Sequence, residues 1–189
     1  IAQQSFCGAT LTPVQKQWLK QFQQSQNKLR IPPGDKYLPM QVHIVGKDDG
    51  SGYYQLENLW SQVCDLNAAY STTGIQFYLK FPLDYVDDTD MYEHTDYNGA
   101  YSAVNSSWVS NSINVYFSGE AAGNCGYFTG MHDCVVIANG CAVIGDKTFP
   151  HELGHFFSMP HTFDGWEGGN VPNKKEKVNA LKTAKKWLK

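Results

Sequence analysis

Three histidines and one glutamate near residue 150 have the types and spacing that zinc chemistry requires. His151 and His155 are four positions apart, so on a helix their imidazoles share one face and can bind a single metal ion. Glu152 lies about 100° further round the helix, which suits a group that contacts a metal-bound water. Pro160 cannot continue a helix, and the turn before it can bring His161 back as a third ligand. Three protein ligands and one open position are typical of a catalytic zinc site.

The complete spacing is far more specific than its first half. The short pattern H-E-x-x-H arises by chance on helices that carry histidines, whereas H-E-x-x-H-x-x-G-x-x-H is a long and restrictive pattern. The alternative is an ordinary helix whose histidines make structural hydrogen bonds. That alternative requires three histidines and a glutamate to cluster by chance in a chain that has only 6 His. Ser158 departs from the pattern, which has Gly there. Gly tolerates positive φ, and another residue in that region costs on the order of 1 kcal/mol.

A longer stretch around this motif resembles a known family. Residues Thr148 to Phe163, with Gly165-Trp166-Glu167-Gly168 after them, are similar to the pappalysin family of metzincin metallopeptidases, in particular its secreted bacterial members. Upstream, Gln41–Gly46 resembles the first strand of the family, and Cys134–Cys141 resembles the segment that leads into its active-site helix. The resemblance covers residues 1–168. It implies a secreted zinc endopeptidase, made as a latent precursor, that acts on peptides or proteins.

The resemblance also implies residue roles. The three histidines would be the zinc ligands and Glu152 the general base. Cys7-Gly8 lies where some relatives place a Cys-Gly whose thiolate binds zinc in the latent enzyme; the alternative is an unpaired cysteine in an N-terminal tail.

The Met-turn of the family, a methionine beneath the metal, has no counterpart, because none of the 4 methionines follows His161. We therefore expect a truncated lower subdomain. A zinc-binding module or inactive peptidase domain without turnover is the second hypothesis, and Glu176 is a less favoured third ligand.

Composition favours one globular domain with appendages. The chain has 189 residues, of which 42% are hydrophobic and 14% aromatic, enough for one sizeable core. No apolar run is long enough to span a membrane. The chain begins with Ile1, so we expect a removed signal peptide or a piece of a longer chain. The net charge is −3 and residues 174–189 are rich in Lys, so the remainder is acidic and nucleic acid is excluded as a partner. The oligomeric state is left open.

The five cysteines are an odd number, so at least one thiol stays unpaired. Cys125, Cys134 and Cys141 lie close in sequence and are expected to supply one disulfide, whose pairing the sequence does not specify. Cys64, beside Val63 in a helical pattern, is expected to be a small core residue.

Predicted strands and helices alternate along the chain. An amphipathic helix over 13–29 precedes a proline-rich break. We interpret 1–39 as a pro-segment on or near the active-site cleft, or as a plain N-terminal extension. Residues 40–168 form the zinc-bearing catalytic domain, and 169–189 form a Lys-rich helical tail, favoured as a solvated helix over a membrane-surface one. The other predicted elements are strands at 40–46, 75–79, 113–117 and 134–139, helices at 54–72 and 148–157, and a polar loop at 84–111. With the resemblance, they predict an α/β fold of the α+β metzincin-like kind: a mixed twisted sheet with a backing helix and an active-site helix.

Three weaker candidates stand outside the zinc motif. Gly126, Tyr127 and Phe128 predict an edge strand that binds an extended substrate peptide, with an internal hairpin as an equal alternative. A Ca²⁺ site is a less favoured interpretation of a run of carboxylates, because its spacing fits no EF-hand and a solvated acidic loop explains it. Single histidines elsewhere are expected to be surface or hydrogen-bonded core residues. The carboxylates are Asp84, Asp87, Asp88 and Asp90, and the histidines are His43, His94 and His132.

Overall fold

The computed structural model of the chain describes Cys7, Gln17, Gln21, residues 34–130 and 132–159, and His161. The chain divides into two compact units, Ile1–Met159 and Pro160–Lys189. Within the predicted helix 13–29, the two described glutamines are helical. The predicted tail helix at 169–189 lies outside the described residues.

A six-stranded mixed sheet forms the centre of the first unit. Its strands are β1 (Lys36–Gly46), β2 (Ile75–Leu79), β3 (Asp84–Asp87), β4 (Ile113–Ser118), β5 (Gly126–Thr129) and β6 (Cys134–Ala138). The strand order is β2-β1-β4-β6-β5, and β3 pairs with the second half of β1. All pairings are parallel except that of β5 with β6. The predicted mixed α/β fold is confirmed.

Helices cover both faces of this sheet. They are α1 (Leu56–Tyr70), α2 (Thr89–Tyr92), α3 (Tyr101–Ser107) and α4 (Thr148–Phe156). α1 connects the parallel strands β1 and β2, as the predicted β-α-β unit requires. Side chains of α1 and α4 share one hydrophobic core, and side chains of α2 and α3 share another. No helix among the described residues is long and apolar enough to cross a membrane.

The central strands are buried on both faces, which explains their continuous apolar sequences. Every residue of β4 and of β6 is buried. Strands that carry helices on both sides have this character, whereas half-exposed strands alternate between apolar and polar residues. The two cores therefore meet along β1, β4 and β6.

The prediction of a polar loop at 84–111 is wrong, because β3, α2 and α3 lie within it. Asp88 is the N-cap of α2, and its carboxylate accepts a hydrogen bond from the Met91 N–H at 2.7 Å. α3 buries only Ala103 and Val104. So short an apolar stripe is too weak to show a helical period in the sequence.

Two other expectations need correction. Cys64 is exposed rather than in the core. The inward face of α1 instead carries Gln62, whose amide donates to the Val143 carbonyl at 2.7 Å and is thereby satisfied in a buried position. β1 begins at Lys36 rather than at residue 40, because Lys36 to Met40 pair with β2.

The isolated core histidines have protein partners, as expected. His43 is fully buried, with Nδ1 2.7 Å from the Asp84 carboxylate and Nε2 3.0 Å from the Asn114 side-chain oxygen. His94 is also buried, with Nε2 3.1 Å from the Tyr127 hydroxyl. Asp84 is thus the side-chain partner of His43, and Asp88 is a helix cap. The described part of the chain gathers no group of carboxylates that could hold Ca²⁺, so the calcium site gains no support.

Phe149 anchors α4 on the sheet, and its removal should be costly. The side chain is 1% exposed, and its ring lies 5.6 Å from that of Phe117 in an edge-to-face arrangement. We expect Phe149→Ala to lower the free energy of unfolding by about 3–5 kcal/mol, because it leaves a cavity under the helix. Urea denaturation measures this change. Tyr37→Ala, at a side chain that is 67% exposed, should cost about 1 kcal/mol or less; equal losses in the two variants would contradict the anchoring role.

Candidate metal centre

The first turn of α4 sets the position of the histidines that follow it. The Asp146 carboxylate accepts a hydrogen bond from the Thr148 N–H at 2.6 Å, where the helix leaves donors unpaired. Pro150 lies in the same turn, where its missing N–H costs no helical hydrogen bond. His151 and His155 then share one side of the helix. Their Nε2 atoms lie 3.1 Å apart, and their ring planes are nearly perpendicular at 88°.

The turn after α4 fixes the orientation of His155. The helix ends at Phe156, as expected from Pro160, and Ser158 has φ of 63°, the left-handed conformation for which the motif uses Gly. His155 Nδ1 lies 2.7 Å from the Met159 carbonyl oxygen. A carbonyl only accepts, so Nδ1 carries the hydrogen and Nε2 offers its lone pair. This carbonyl partner is the kind of outer contact that orients a metal-binding histidine.

Cys7 brings a sulfur atom to the same place. Its Sγ lies 3.3 Å from His155 Nε2, and the ligand atoms of Cys7, His151 and His155 lie within 4.8 Å of one another. In a tetrahedral zinc site, two imidazole nitrogens are about 3.3 Å apart and a thiolate sulfur is about 3.6 Å from each. The donor types and their separations therefore fit zinc. His161 belongs to the second compact unit, and its role as third ligand stays a prediction.

Glu152 is a buried carboxyl group beside this cluster. It is fully buried, and neither of its oxygens makes a hydrogen bond within the described part of the chain. Desolvation raises the pKa of Glu152 to about 7, against smaller lowering contributions from Cys7 and the Phe128 backbone. We regard those two groups as near contacts, since neither reaches hydrogen-bond geometry. A buried carboxyl without a partner favours a bound proton or a nearby cation.

β5 lies at the edge of the described sheet and next to α4. It pairs with β6, and no other strand of the described sheet lies beyond it. Gly126 permits this close approach: a Cβ there would lie 2.9 Å from Thr148 Cγ2 and 3.0 Å from Glu152 Cγ. The edge position agrees with one of the two alternatives for Gly126, Tyr127 and Phe128. Their contact with substrate stays a prediction.

Tyr97 lies within electrostatic range of the site and was not predicted from the sequence. Burial raises the pKa of Tyr97, the Asn124 side chain lowers it, and the charges of Cys7 and Glu152 raise it further. Those last two effects place its hydroxyl within electrostatic reach of the cluster. Its ring packs edge-to-face on Tyr127 at 4.9 Å. Tyr97 lies in the segment predicted to be a polar loop, so no periodic pattern marked it.

One disulfide joins the surroundings of β5 and α4. It links Cys125, just before β5, to Cys141, in the 3₁₀ turn that precedes α4 by a few residues. The expectation of one pair among the three clustered cysteines is confirmed, and Cys134 is the buried free thiol. The disulfide fixes the start of β5 to the turn that follows β6.

Comparison with known proteins gives little at the level of sequence. No family model matches the chain, and no curated protein matches it in sequence. In structure, the chain is similar to mature mirolysin of Tannerella forsythia in complex with a cleaved peptide, with 14% identity and a TM-score of 0.48. The likeness covers 71% of this chain and 67% of that chain. A likeness of this size is too weak to carry an argument about function.

Gly126→Ala should disturb the site through the packing of α4. The added methyl group would press on Thr148 and on the carbon stem of Glu152, so the helix must shift. We expect the free energy of unfolding to fall by about 1–3 kcal/mol, and the affinity for zinc to fall with it, as measured with a competing chromophoric chelator. Gly140→Ala is the matched control, because a Cβ there meets no atom within 4 Å. Equal zinc affinities in both variants would show that the close approach does not position the histidines.

Proposed function

We propose that this chain is the zinc-bearing part of a secreted metalloendopeptidase that is held latent by Cys7. One observation carries the proposal: two imidazole Nε2 atoms and a thiol sulfur converge beside a buried carboxyl group with no hydrogen bond in the described part of the chain. Histidine and cysteine are typical zinc ligands, and a buried carboxyl next to them has the place of a base. The membership in the pappalysin family, suggested by the sequence motif, is part of this proposal.

The ligand set combines the structure of the first unit with the sequence spacing. His151 and His155 supply two Nε2 atoms, and His161 supplies the third ligand by the motif. Zinc, when bound, lowers the pKa of a bound water to about 7 and polarises the scissile carbonyl. The bond from His155 Nδ1 to the Met159 carbonyl leaves the Nε2 lone pair available, so His155 would hold the ion through Nε2.

Glu152 is the proposed general base. Its carboxylate takes a proton from the attacking water and later gives it to the leaving nitrogen of the cleaved peptide bond. Burial suits this role, because a group excluded from bulk water exchanges its proton with the bound reactants rather than with solvent. The contact of its stem with Gly126 on β5 keeps the carboxyl beside the strand along which a substrate would lie.

The edge strand β5 is the proposed substrate platform. Gly126, Tyr127 and Phe128 can pair with an extended peptide through their outward backbone groups, as in other strand-addition complexes. Backbone pairing is tolerant of side chains, which suits an endopeptidase. The peptide bond to be cut would then lie between β5 and the histidines of α4.

The proposal also includes a latent precursor and secretion of the protein. Cys7 Sγ lies 3.3 Å from His155 Nε2, and as a fourth ligand it would exclude water. The segment that carries it, residues 1–39, is the proposed pro-segment. Residues 40–168 would form the catalytic domain and 169–189 a helical tail. The disulfide between Cys125 and Cys141 supports an oxidising, extracellular environment.

The position of Cys7 also supports the second candidate function, a zinc-binding module without turnover. A thiolate that stays on the metal leaves no position for water. The two functions differ in whether removal of that thiol releases activity.

Zinc content and the role of Glu152 provide the main test. The purified chain should bind one zinc ion, and His155→Ala should weaken binding by at least about 100-fold, since a ligand is lost. His132→Ala is the matched histidine control for zinc affinity.

In the Cys7→Ala background, Glu152→Gln should slow cleavage of an unstructured protein by about 10²–10⁴-fold while zinc stays bound. Glu57→Gln, at an exposed position on α1, should leave the rate unchanged. Cleavage that survives removal of zinc by a chelator would end the proposal.

The latency proposal predicts opposite outcomes for two cysteines outside the disulfide. Cys7→Ala should increase the cleavage rate of the full chain, because it opens the fourth position. Cys64→Ala, at an exposed thiol on α1, should not. With Co²⁺ in place of zinc, the thiolate-to-cobalt charge-transfer absorption should disappear in Cys7→Ala and persist in Cys64→Ala. An unchanged spectrum in both variants would mean that Cys7 does not bind the metal.

A further inference from the structure

β5 has two faces, and only one of them contacts α4. Gly126 approaches Glu152 and Thr148, and the Phe128 ring lies 5.9 Å from that of Phe156. Successive side chains of a strand point to opposite faces, so Tyr127 and Thr129 point away from α4. Tyr127 accordingly belongs to the core beneath α3. A peptide added to β5 would alternate in the same way, with every second side chain on the α3 side.

A small cavity lies on that second face. Its volume is about 30 Å³, and it is bounded by the edge strand, by α3 and by the loop between β5 and β6. Val104 and Tyr127 are almost fully buried and form its floor, while Tyr97 and Tyr101 are about half exposed and form its mouth. Thr129 and His132 complete the wall.

His132 presents an unsatisfied polar atom at this cavity. Its Nε2 is buried and has no hydrogen-bond partner in the part of the chain that the structure describes. The ring packs against Tyr101 at 5.3 Å between centroids, which fixes the ring in the wall. A buried ring nitrogen without a partner is costly, and a ligand group that pairs with it recovers that cost.

The mouth of the cavity lies within electrostatic range of the candidate metal centre. Tyr97, which forms part of the mouth, senses the charges of Cys7 and Glu152. It also packs on Tyr127, whose neighbours Gly126 and Phe128 face the catalytic helix. A peptide that lies along β5 therefore passes the cavity and Glu152 together.

We propose that this cavity is a subsite that selects a serine or threonine side chain of the peptide bound along β5. The inference deepens the proposed function and rests on its placement of substrate at β5. A hydroxyl group both donates and accepts, so it pairs with His132 Nε2 in either tautomer. A hydroxymethyl group suits a space of about 30 Å³, whereas rings and long side chains do not enter. A valine side chain has the shape of threonine but leaves Nε2 unpaired, so the pair threonine and valine isolates the hydrogen bond.

The test measures binding separately from turnover. The probe is the full zinc-loaded chain with Cys7→Ala and Glu152→Gln, which exposes the cleft and leaves peptides intact. Short fluorescent peptides of one sequence carry threonine or valine at each position in turn. Threonine should bind about five- to tenfold more tightly than valine at one position and equally at the others. His132→Phe should bring that ratio to about one without changing zinc affinity, and His132→Gln, which keeps a polar group, should restore part of it. Tyr37→Phe, far along β1 and exposed, is the control that keeps the ratio.

Each outcome decides between the subsite and the peptidase. A ratio near one at every position, a ratio insensitive to His132→Phe, or no peptide binding at all would overturn the subsite. Cleavage of an unstructured protein by the Cys7→Ala chain, without any threonine preference, would leave the peptidase standing and reject the subsite. A threonine preference in binding without any cleavage would support the subsite and reject the peptidase.

Discussion

The contact between α4 and β5 at Gly126 governs the geometry of the whole site. The helix is held from below by Phe149 and Leu153 in the core, and Gly126 lets it lie directly against the edge strand. Glu152 then has its carbon stem on the strand and its carboxyl group beside the histidines. The same contact therefore sets the distance from the two histidines to any chain that pairs with β5. A side chain at position 126 would push Glu152 and the two histidines away from β5 as one body, because all three lie on α4.

The turn after α4 combines an unfavourable backbone conformation with favourable hydrogen bonds. Ser158 adopts the left-handed conformation at a cost on the order of 1 kcal/mol. In return, the Met159 N–H donates to the Gly154 carbonyl at 2.9 Å, and the Met159 carbonyl accepts from His155 Nδ1 at 2.7 Å. Each such bond contributes about 0.5–1.5 kcal/mol, so the turn is stable without glycine. The hydrogen bonds of the turn thus offset the cost of having Ser158 where the motif has Gly.

The sequence predicts the parts of this protein that depend on local spacing. The four-residue interval between His151 and His155, and the break at Pro160, act within one helix, and the structure follows them. β2 was predicted with its observed bounds because its boundaries carry strong local signals. The edge position of β5 was only one of two alternatives, since it depends on which strands pair at long range.

Features that depend on tertiary packing escaped prediction. α3 contributes two small buried residues, and its helical character follows from the sheet that it covers. Cys64 lies beside apolar residues in sequence, yet Gln62 and not Cys64 faces the core. The buried amide of Gln62 is tolerated because it donates to the Val143 carbonyl. Tyr97 packs on Tyr127, a contact across the fold that no local pattern encodes.

The disulfide between Cys125 and Cys141 has a consequence for where the protein can work. Its loop of 16 residues spans β5 and β6, so closing it removes about 3 kcal/mol of freedom from the unfolded chain. Disulfides seldom persist in a reducing cytosol, and a chain kept there would lack this cross-link. Without it, the start of β5 would be held less firmly to the turn that follows β6. Under the proposed function, cleavage would then depend on an oxidising environment as well as on the state of the Cys7 thiol.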